Sequence, residues 1–77
     1  MWKEIEPNPF GKANKSFIYT MNGYILIVIK EYDDYLKGSV LGGNLDVFEI
    51  LDTDLDSLKF SCLLKARELG YDLKLFN

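Results

Sequence analysis

The feature that most constrains the fold is an unbroken apolar run, Tyr24-Ile25-Leu26-Ile27-Val28-Ile29, which ends at Lys30. The run is short and rich in β-branched residues, and both properties favour a strand over a helix. Successive side chains of a strand point to opposite faces, so apolar side chains are expected on both. The run therefore predicts an inner strand covered on each side, with Ile25, Ile27 and Ile29 on one face and the alternate residues on the other.

Turn signals divide the neighbouring sequence into further strands. Asn22-Gly23 stands between two strand-like runs, and this pair is typical of a tight β-hairpin because both residues tolerate a positive φ. Asp33-Asp34 suits the next turn, and the flanking Tyr32 and Tyr35 can pair across it. The predicted strands are Phe17–Met21, Tyr24–Lys30, Leu36–Leu41 and Leu45–Leu51, with residues 1–6 as a short edge strand or an arm.

A single helix is predicted after the strands, from about Leu55 to Leu69. Thr53 or Asp54 can cap its start, and Gly70 ends it. One apolar stripe at helical spacing is expected to face the sheet. The stripe consists of Leu55, Leu58, Cys62, Ala66 and Leu69, whereas Phe60, Leu63 and Leu64 fall outside it.

These elements predict one α+β domain over residues 1–77: an antiparallel β-meander of three to five strands with one α-helix packed on one face. The N-terminal arm and loop occupy residues 1–15, the meander 16–51 and the helix 54–69. Residues 71–76 alternate in polarity and predict a terminal strand or a tail.

The composition argues against the common kinds of catalytic and metal site. The chain has no histidine and one cysteine, Cys62, so a nucleophile–histidine pair and the usual zinc ligand sets are excluded. The alternating acids Asp52, Asp54 and Asp56 lack the glycine and the distal glutamate of a calcium loop, and they suit a helix start instead. We expect no enzyme activity, no cofactor and no bound metal.

Net charge and hydropathy limit the other partners. The formal charge is −3, which disfavours direct nucleic acid binding because phosphate neutralisation requires a surplus of Lys and Arg. The N-terminus has no apolar signal region, and no apolar run reaches membrane-spanning length. We therefore expect a cytoplasmic protein that binds neither nucleic acid nor membrane.

The apolar residues exceed what one helix on one sheet face can cover. Two explanations remain open: the arm and the tail of the same chain cover the surplus, or a second protein does. A homodimer and a foreign protein partner are both expected from the second explanation. The residues predicted to bind a partner are Phe60, Leu64, Tyr32, Tyr35 and Trp2, although packing onto its own domain is the role favoured for Trp2.

Three short segments resemble those of HicB-type antitoxins: Gly23-Tyr24 opening a strand, Asp33-Asp34-Tyr35 at a turn, and Asp52-Thr53 with Asp56 at the helix start. The resemblance covers roughly residues 23–69 and implies the partial ribonuclease-H-like fold of that family. Val40-Leu41-Gly42-Gly43 stands where the family has a Pro-x-x-Pro-Gly element. The chain also needs an additional strand, Leu45–Leu51.

The function expected from these observations is that of a small non-enzymatic binding protein that inhibits or neutralises a larger protein. Small acidic, histidine-free chains of this length resemble phage and mobile-element accessory proteins in type. The alternatives are a structural homo-oligomeric subunit and a HicB-like antitoxin.

Overall fold

The structure, a computed structural model, describes residues 2–5, 15–41 and 47–71. The described part contains five strands followed by one helix, which are β1 Trp2–Ile5, β2 Lys15–Met21, β3 Tyr24–Glu31, β4 Leu36–Leu41, β5 Val47–Asp52 and α1 Leu55–Glu68. The strands form one antiparallel sheet in the order β1-β2-β3-β4-β5. The predicted α+β meander with one helix on one face is confirmed. The loop 7–14, Leu45 at the start of a predicted strand, and the terminal segment 72–76 lie outside the described residues.

The hairpin between β2 and β3 turns at Asn22-Gly23, as the dipeptide predicts. Asn22 has φ 53° and Gly23 has φ 83°. A type I′ turn requires positive φ at both central positions, and its twist matches the right-handed twist of the flanking strands. The turn therefore sets the register of the two strands that lie beside each other at the centre of the fold.

A β-bulge in β3 changes the face on which its first residues lie. Tyr19 pairs with Ile27, but Thr20 pairs with Ile25, so Leu26 is the extra residue in β3. Leu26 belongs to the buried core together with Ile27, and Ile25 shares a face with Thr20. The prediction that Ile25 lies on one face with Ile27 and Ile29 is wrong, because strict alternation ends at the bulge.

The core lies between the sheet and α1. Ile27, Ile29 and Val40 are fully buried on the face of the sheet that the helix covers. Half-buried residues pack around this core. The buried cluster comprises Phe17, Tyr19, Leu26, Ile27, Ile29, Leu36, Val40, Leu58, Cys62, Leu63 and Ala66, and its half-buried neighbours are Trp2, Met21, Phe48, Ile50, Leu55 and Tyr71.

The opposite side of the sheet, called the far face below, is covered unevenly. Ser16 and Ile18 on β2 are buried, although their side chains point away from the helix. Towards the β5 edge the far face opens: Val47 is 52% exposed and Leu51 is 65% exposed. The sequence left open what covers the far face of β3. On that face Ile25 is only partly covered, with 39% of its surface exposed.

Gly38 is the point of closest approach between sheet and helix. A Cβ atom at this position would lie 2.6 Å from Cys62 Sγ and 3.1 Å from Leu58 Cδ1, closer than such atoms normally approach. The glycine therefore allows α1 to lie directly on β4, where both Leu58 and Cys62 are fully buried.

The buried side of α1 is wider than the predicted stripe. Leu63 is only 5% exposed, so its placement outside the stripe is wrong. By contrast Leu69, which was expected to face the sheet, is 36% exposed and forms the C-cap. The helix packs over part of β3 as well as over β4 and β5, and this arrangement buries Leu63.

Both ends of the helix are closed by groups that the sequence supplies locally. Asp54 is the N-cap, and its carboxylate accepts a hydrogen bond from Ser57 N at 2.8 Å. Asp52 Oδ1 accepts from the backbone N–H groups of Thr53 and Asp54 at 2.7 and 3.1 Å. At the other end Gly70 has φ 105°, the left-handed conformation that commonly ends a helix. Of the two predicted caps, Asp54 is the one used.

We expect Gly38→Ala to destabilise the fold. The added methyl group overlaps Cys62 Sγ, and overpacking of this kind costs about 1–3 kcal/mol. Alanine is favoured over glycine within a strand by only about 0.5–1 kcal/mol, which offsets part of this loss of stability. Urea unfolding measures the difference, and Ser39→Ala on the far face is the matched control. The Gly38→Ala/Cys62→Ala double variant should lose less than the sum of the two single changes; strict additivity would contradict the contact.

The helix cap should make stability depend on pH at the acid end. The Ser57 N–H donor holds the pKa of Asp54 below its usual 3.8. Because the folded-state pKa is the lower one, the stabilisation is complete above pH 4 and is lost as pH falls through the folded-state pKa. Asp54→Asn keeps the cap and removes the titration, so its stability should fall less between pH 5 and pH 2 than that of the wild type. Thermal unfolding at a series of pH values measures this difference. If the stability of the wild type and of Asp54→Asn falls equally between pH 5 and pH 2, Asp54 is not the titrating group.

Candidate partner-binding surface

The side of α1 that faces away from the sheet carries two large apolar side chains next to an arginine. Leu64 follows Leu55 by nine residues, about two and a half turns, so it points away from the sheet that Leu55 packs against. Phe60 precedes Leu64 by four residues, and Arg67 follows it by three, which places all three side chains on one side. Phe60 and Leu64 are each 40% exposed, and Arg67 is exposed. We call Phe60, Leu64 and Arg67 the outer flank.

The two tyrosines predicted for partner contact form a stacked pair at the turn between β3 and β4. The rings of Tyr32 and Tyr35 lie 4.9 Å apart, centroid to centroid, at an interplanar angle of 22°. The backbone N–H of Tyr32 donates to Tyr35 O at 2.9 Å and closes the turn. Both rings line a groove of about 380 Å³ that also includes Thr53 and Leu55 at the start of α1. The pair is thus held rigidly next to the beginning of the helix.

Trp2 is placed by packing against its own domain. Its ring lies 5.2 Å from the Tyr19 ring in an edge-to-face arrangement. Lys59 Nζ lies 5.3 Å from the Trp2 centroid and 5.3 Å from the Phe17 centroid. A lysine over two aromatic faces links β1 and β2 to the helix. Trp2 therefore anchors β1 to the helix-covered face, and it remains half-buried there.

The predicted partner-binding residues consequently fall in three places. Phe60 and Leu64 lie together on the outer flank, and Tyr32 and Tyr35 lie together at the β3–β4 turn. Trp2 stands on the β1 side of the helix. The groove beside the helix start connects the tyrosine pair to α1, and Phe60 lies five residues, or about 7.5 Å, further along the helix axis than Leu55.

Sequence reasoning missed the aliphatic residues that are most exposed in the described part of the chain, and these are on β5. Val47 and Leu51 point to the far face on either side of Glu49. Lys37 Nζ forms a 2.8 Å ion pair with Glu49 Oε2, and this contact raises the pKa of Lys37. The apolar residues of Val47-Phe48-Glu49-Ile50-Leu51 were visible in the sequence, but only the strand order shows that this strand lies at an edge of the described sheet.

A second, apolar cavity of about 300 Å³ lies at the other end of the sheet, beside the β2–β3 turn. Tyr71 contributes to it and donates a hydrogen bond from its hydroxyl to Leu41 O at 3.3 Å. The lining residues among those described are Met21, Asn22, Tyr24, Ile25, Leu26, Leu41 and Tyr71.

Among the described residues, the carboxylates and the thiol that could take part in catalysis or metal binding have structural roles instead. Asp52 and Asp54 hold the backbone at the helix start, as described above. Within residues 2–5, 15–41 and 47–71, no three acidic or cysteine side chains converge on a point where a metal ion could bind. Cys62 is fully buried, and this burial raises the pKa of its thiol to about 12.

Comparison with protein-family models, with curated proteins and with solved structures finds no match to this chain. The resemblance to HicB-type antitoxins stays a prediction from short segments. Among the described residues, no helix has both the length and the apolar character needed to cross a membrane.

The burial of Cys62 predicts that it reacts only when the domain opens. A thiol with a pKa near 12 is almost entirely protonated at neutral pH, and the thiolate is the reactive form. Native protein should therefore resist a thiol reagent at pH 8, and labelling should become rapid in urea above the unfolding midpoint. Labelling of the folded protein at the rate of a model thiol would contradict the packing of Cys62 against Gly38.

Proposed function

We propose that this chain is a small non-enzymatic binding protein that docks the outer flank of α1 onto a larger protein. The observation that carries the proposal is the placement of Phe60 and Leu64, two large apolar side chains on the side of the helix turned away from the core. An i,i+4 apolar pair on a helix supported by a sheet is the arrangement that fits an apolar groove on a partner.

The residue types of the outer flank support this proposal. Aromatic and arginine side chains are enriched in protein interfaces relative to the rest of the surface, and Phe60 and Arg67 are of these types. The outer flank is also preorganised for binding, because α1 is held on the sheet by four buried residues and is capped at both ends. A rigid binding element loses less entropy on association than a flexible one.

The stacked tyrosines extend the proposed surface towards the helix start. The carboxylates of Glu31 and Asp34 line the same groove as Tyr32 and Tyr35. A partner surface with a Lys or Arg side chain next to an apolar groove would match both features, through cation–π contact with the rings and charge pairing with the acids. Binding that covers a working surface of the partner would inhibit it, in keeping with the function expected from the sequence.

Variants of the outer flank test the proposal. Tagged wild-type protein is used for affinity capture from lysate of the cells that produce it, and captured proteins are then purified for affinity measurement. Leu64→Asp, alone and with Phe60→Asp, should weaken binding by about tenfold or more, since each change sets a charge against an apolar groove. Tyr35→Ala should weaken it to a smaller extent.

Ile25→Asp is the matched control, because it places the same charge at an aliphatic side chain of similar exposure, 39%, on the far face and outside β5. Circular dichroism confirms folding of every variant. If the same proteins bind to wild type and to the Phe60→Asp/Leu64→Asp variant with equal affinity, the outer flank is not the binding surface.

A further inference from the structure

We infer that β5 pairs with β5 of a second copy of this chain, in an antiparallel two-fold contact centred on Glu49. This interface is separate from the outer flank and does not depend on the proposed function. It would join two five-stranded sheets into one continuous sheet.

The pattern of β5 is symmetric about Glu49. Two apolar residues precede it and two follow, in the order Val47-Phe48-Glu49-Ile50-Leu51. A two-fold contact requires one surface to be complementary to itself. With Glu49 opposite its own copy, Val47 lies opposite Leu51 of the other chain, and Phe48 lies opposite Ile50. Each pair occurs twice, so every apolar side chain of the strand gains an apolar neighbour.

The exposure of β5 agrees with this register. The cross-strand pairs on the far face join Val47, 52% exposed, to Leu51, 65% exposed. On the helix side Phe48 and Ile50 are already half-buried against the core, and the second copy would extend that core. Among the described residues β5 pairs with β4 alone, so it lies at the edge of the described sheet. An edge strand with apolar residues on both faces is a template for a further strand.

The central charge is compensated within each copy. Two glutamates directly opposite each other would repel. Each Glu49, however, forms the 2.8 Å ion pair with Lys37 of its own β4, on the same far face. A row of Lys37, Glu49, Glu49 and Lys37 would then cross the interface, with both carboxylates between the two ammonium groups.

The other edge of the described sheet lacks this self-complementarity. Strand β1 has four residues, and its two central ones are Lys3 and Glu4. A two-fold pairing centred on either residue sets like charges opposite each other and leaves only one apolar residue on each side. The geometry therefore selects β5 as the edge that joins a second copy.

The position of the helix is compatible with the contact. A two-fold axis perpendicular to the sheet keeps both helices on the same side. With strands spaced by about 4.8 Å and α1 lying over β4 and β5, the two helix axes would be on the order of 10–14 Å apart, near packing distance. Lys65 marks the β5 side of the helix, since its Nζ lies 4.4 Å from the Phe48 ring centroid. Polar side chains would thus meet above the new strand pair.

Concentration-dependent association of the full chain is the first test. Sedimentation equilibrium should show a monomer–dimer equilibrium with a dissociation constant on the order of micromolar, the weak end of the range for protein interfaces. Leu51→Lys should weaken the dimer by about tenfold or more, because symmetry introduces the charge twice into an apolar pair. Leu64→Lys, a matched change on the outer flank, should leave it unchanged. A wild type that stays monomeric at all concentrations would overturn the inference, as would a dimer that responds to Leu64→Lys and not to Leu51→Lys.

Disulfide trapping tests the register. Directly opposite residues in an antiparallel pair have Cα atoms about 4.5–5.5 Å apart, within disulfide range. The Glu49→Cys variant should therefore cross-link to itself on mild oxidation. Neither Val47→Cys nor Leu51→Cys should, because each lies about 14 Å from its own copy, but a mixture of the two should cross-link. Cys62 is buried and does not compete. Self-cross-linking of Val47→Cys in preference to Glu49→Cys would reject this register.

Discussion

The contact between Gly38 of the sheet and Leu58 and Cys62 of the helix is the constraint on which the rest of the structure depends. A side chain at position 38 would force the helix outward, because its Cβ would fall within 3.1 Å of both residues. With glycine there, α1 lies directly on β4, and the small residues Cys62 and Ala66 are both fully buried. The close approach also explains why one short helix suffices to cover the centre of a five-stranded sheet.

The same contact determines which surfaces the domain presents. Since α1 uses one broad side for the sheet, Phe60 and Leu64 necessarily lie on the other. Since α1 sits over β4 and β5, it covers the helix side of β5 and leaves Val47 and Leu51 on the far face exposed. The proposed partner surface and the proposed self-association edge therefore arise from one packing arrangement, and they use different sides of the domain. A two-fold assembly through β5 would turn two outer flanks in the same direction, so a partner could be bound by two helices at once.

Short sequence motifs were sufficient to predict those parts of the structure that depend only on residues close together in the chain. Asn22-Gly23 predicted its turn because the required φ values are a property of those two residues. The bounds of β4, Leu36–Leu41, were predicted correctly, and so was the helix start at Leu55. The candidate site was predicted in pieces. Phe60 and Leu64 were placed together from their spacing, and Tyr32 and Tyr35 from their positions on either side of the Asp33-Asp34 turn. The structure adds the stacked geometry of the two rings.

By itself the sequence determined the fold class, the order of the elements and the two ends of the helix, because these follow from side-chain periodicity, backbone preference and capping within a few residues. The tertiary structure decided the rest. The bulge at Leu26 appears only when β3 is matched to β2, and it moves Ile25 to the far face. Leu63 is buried because α1 packs over part of β3 as well as over β4 and β5, and β5 lies at an edge of the described sheet because no other described strand than β4 pairs with it. Each of these depends on which distant segments meet, and this information is not contained in the periodicity of one segment.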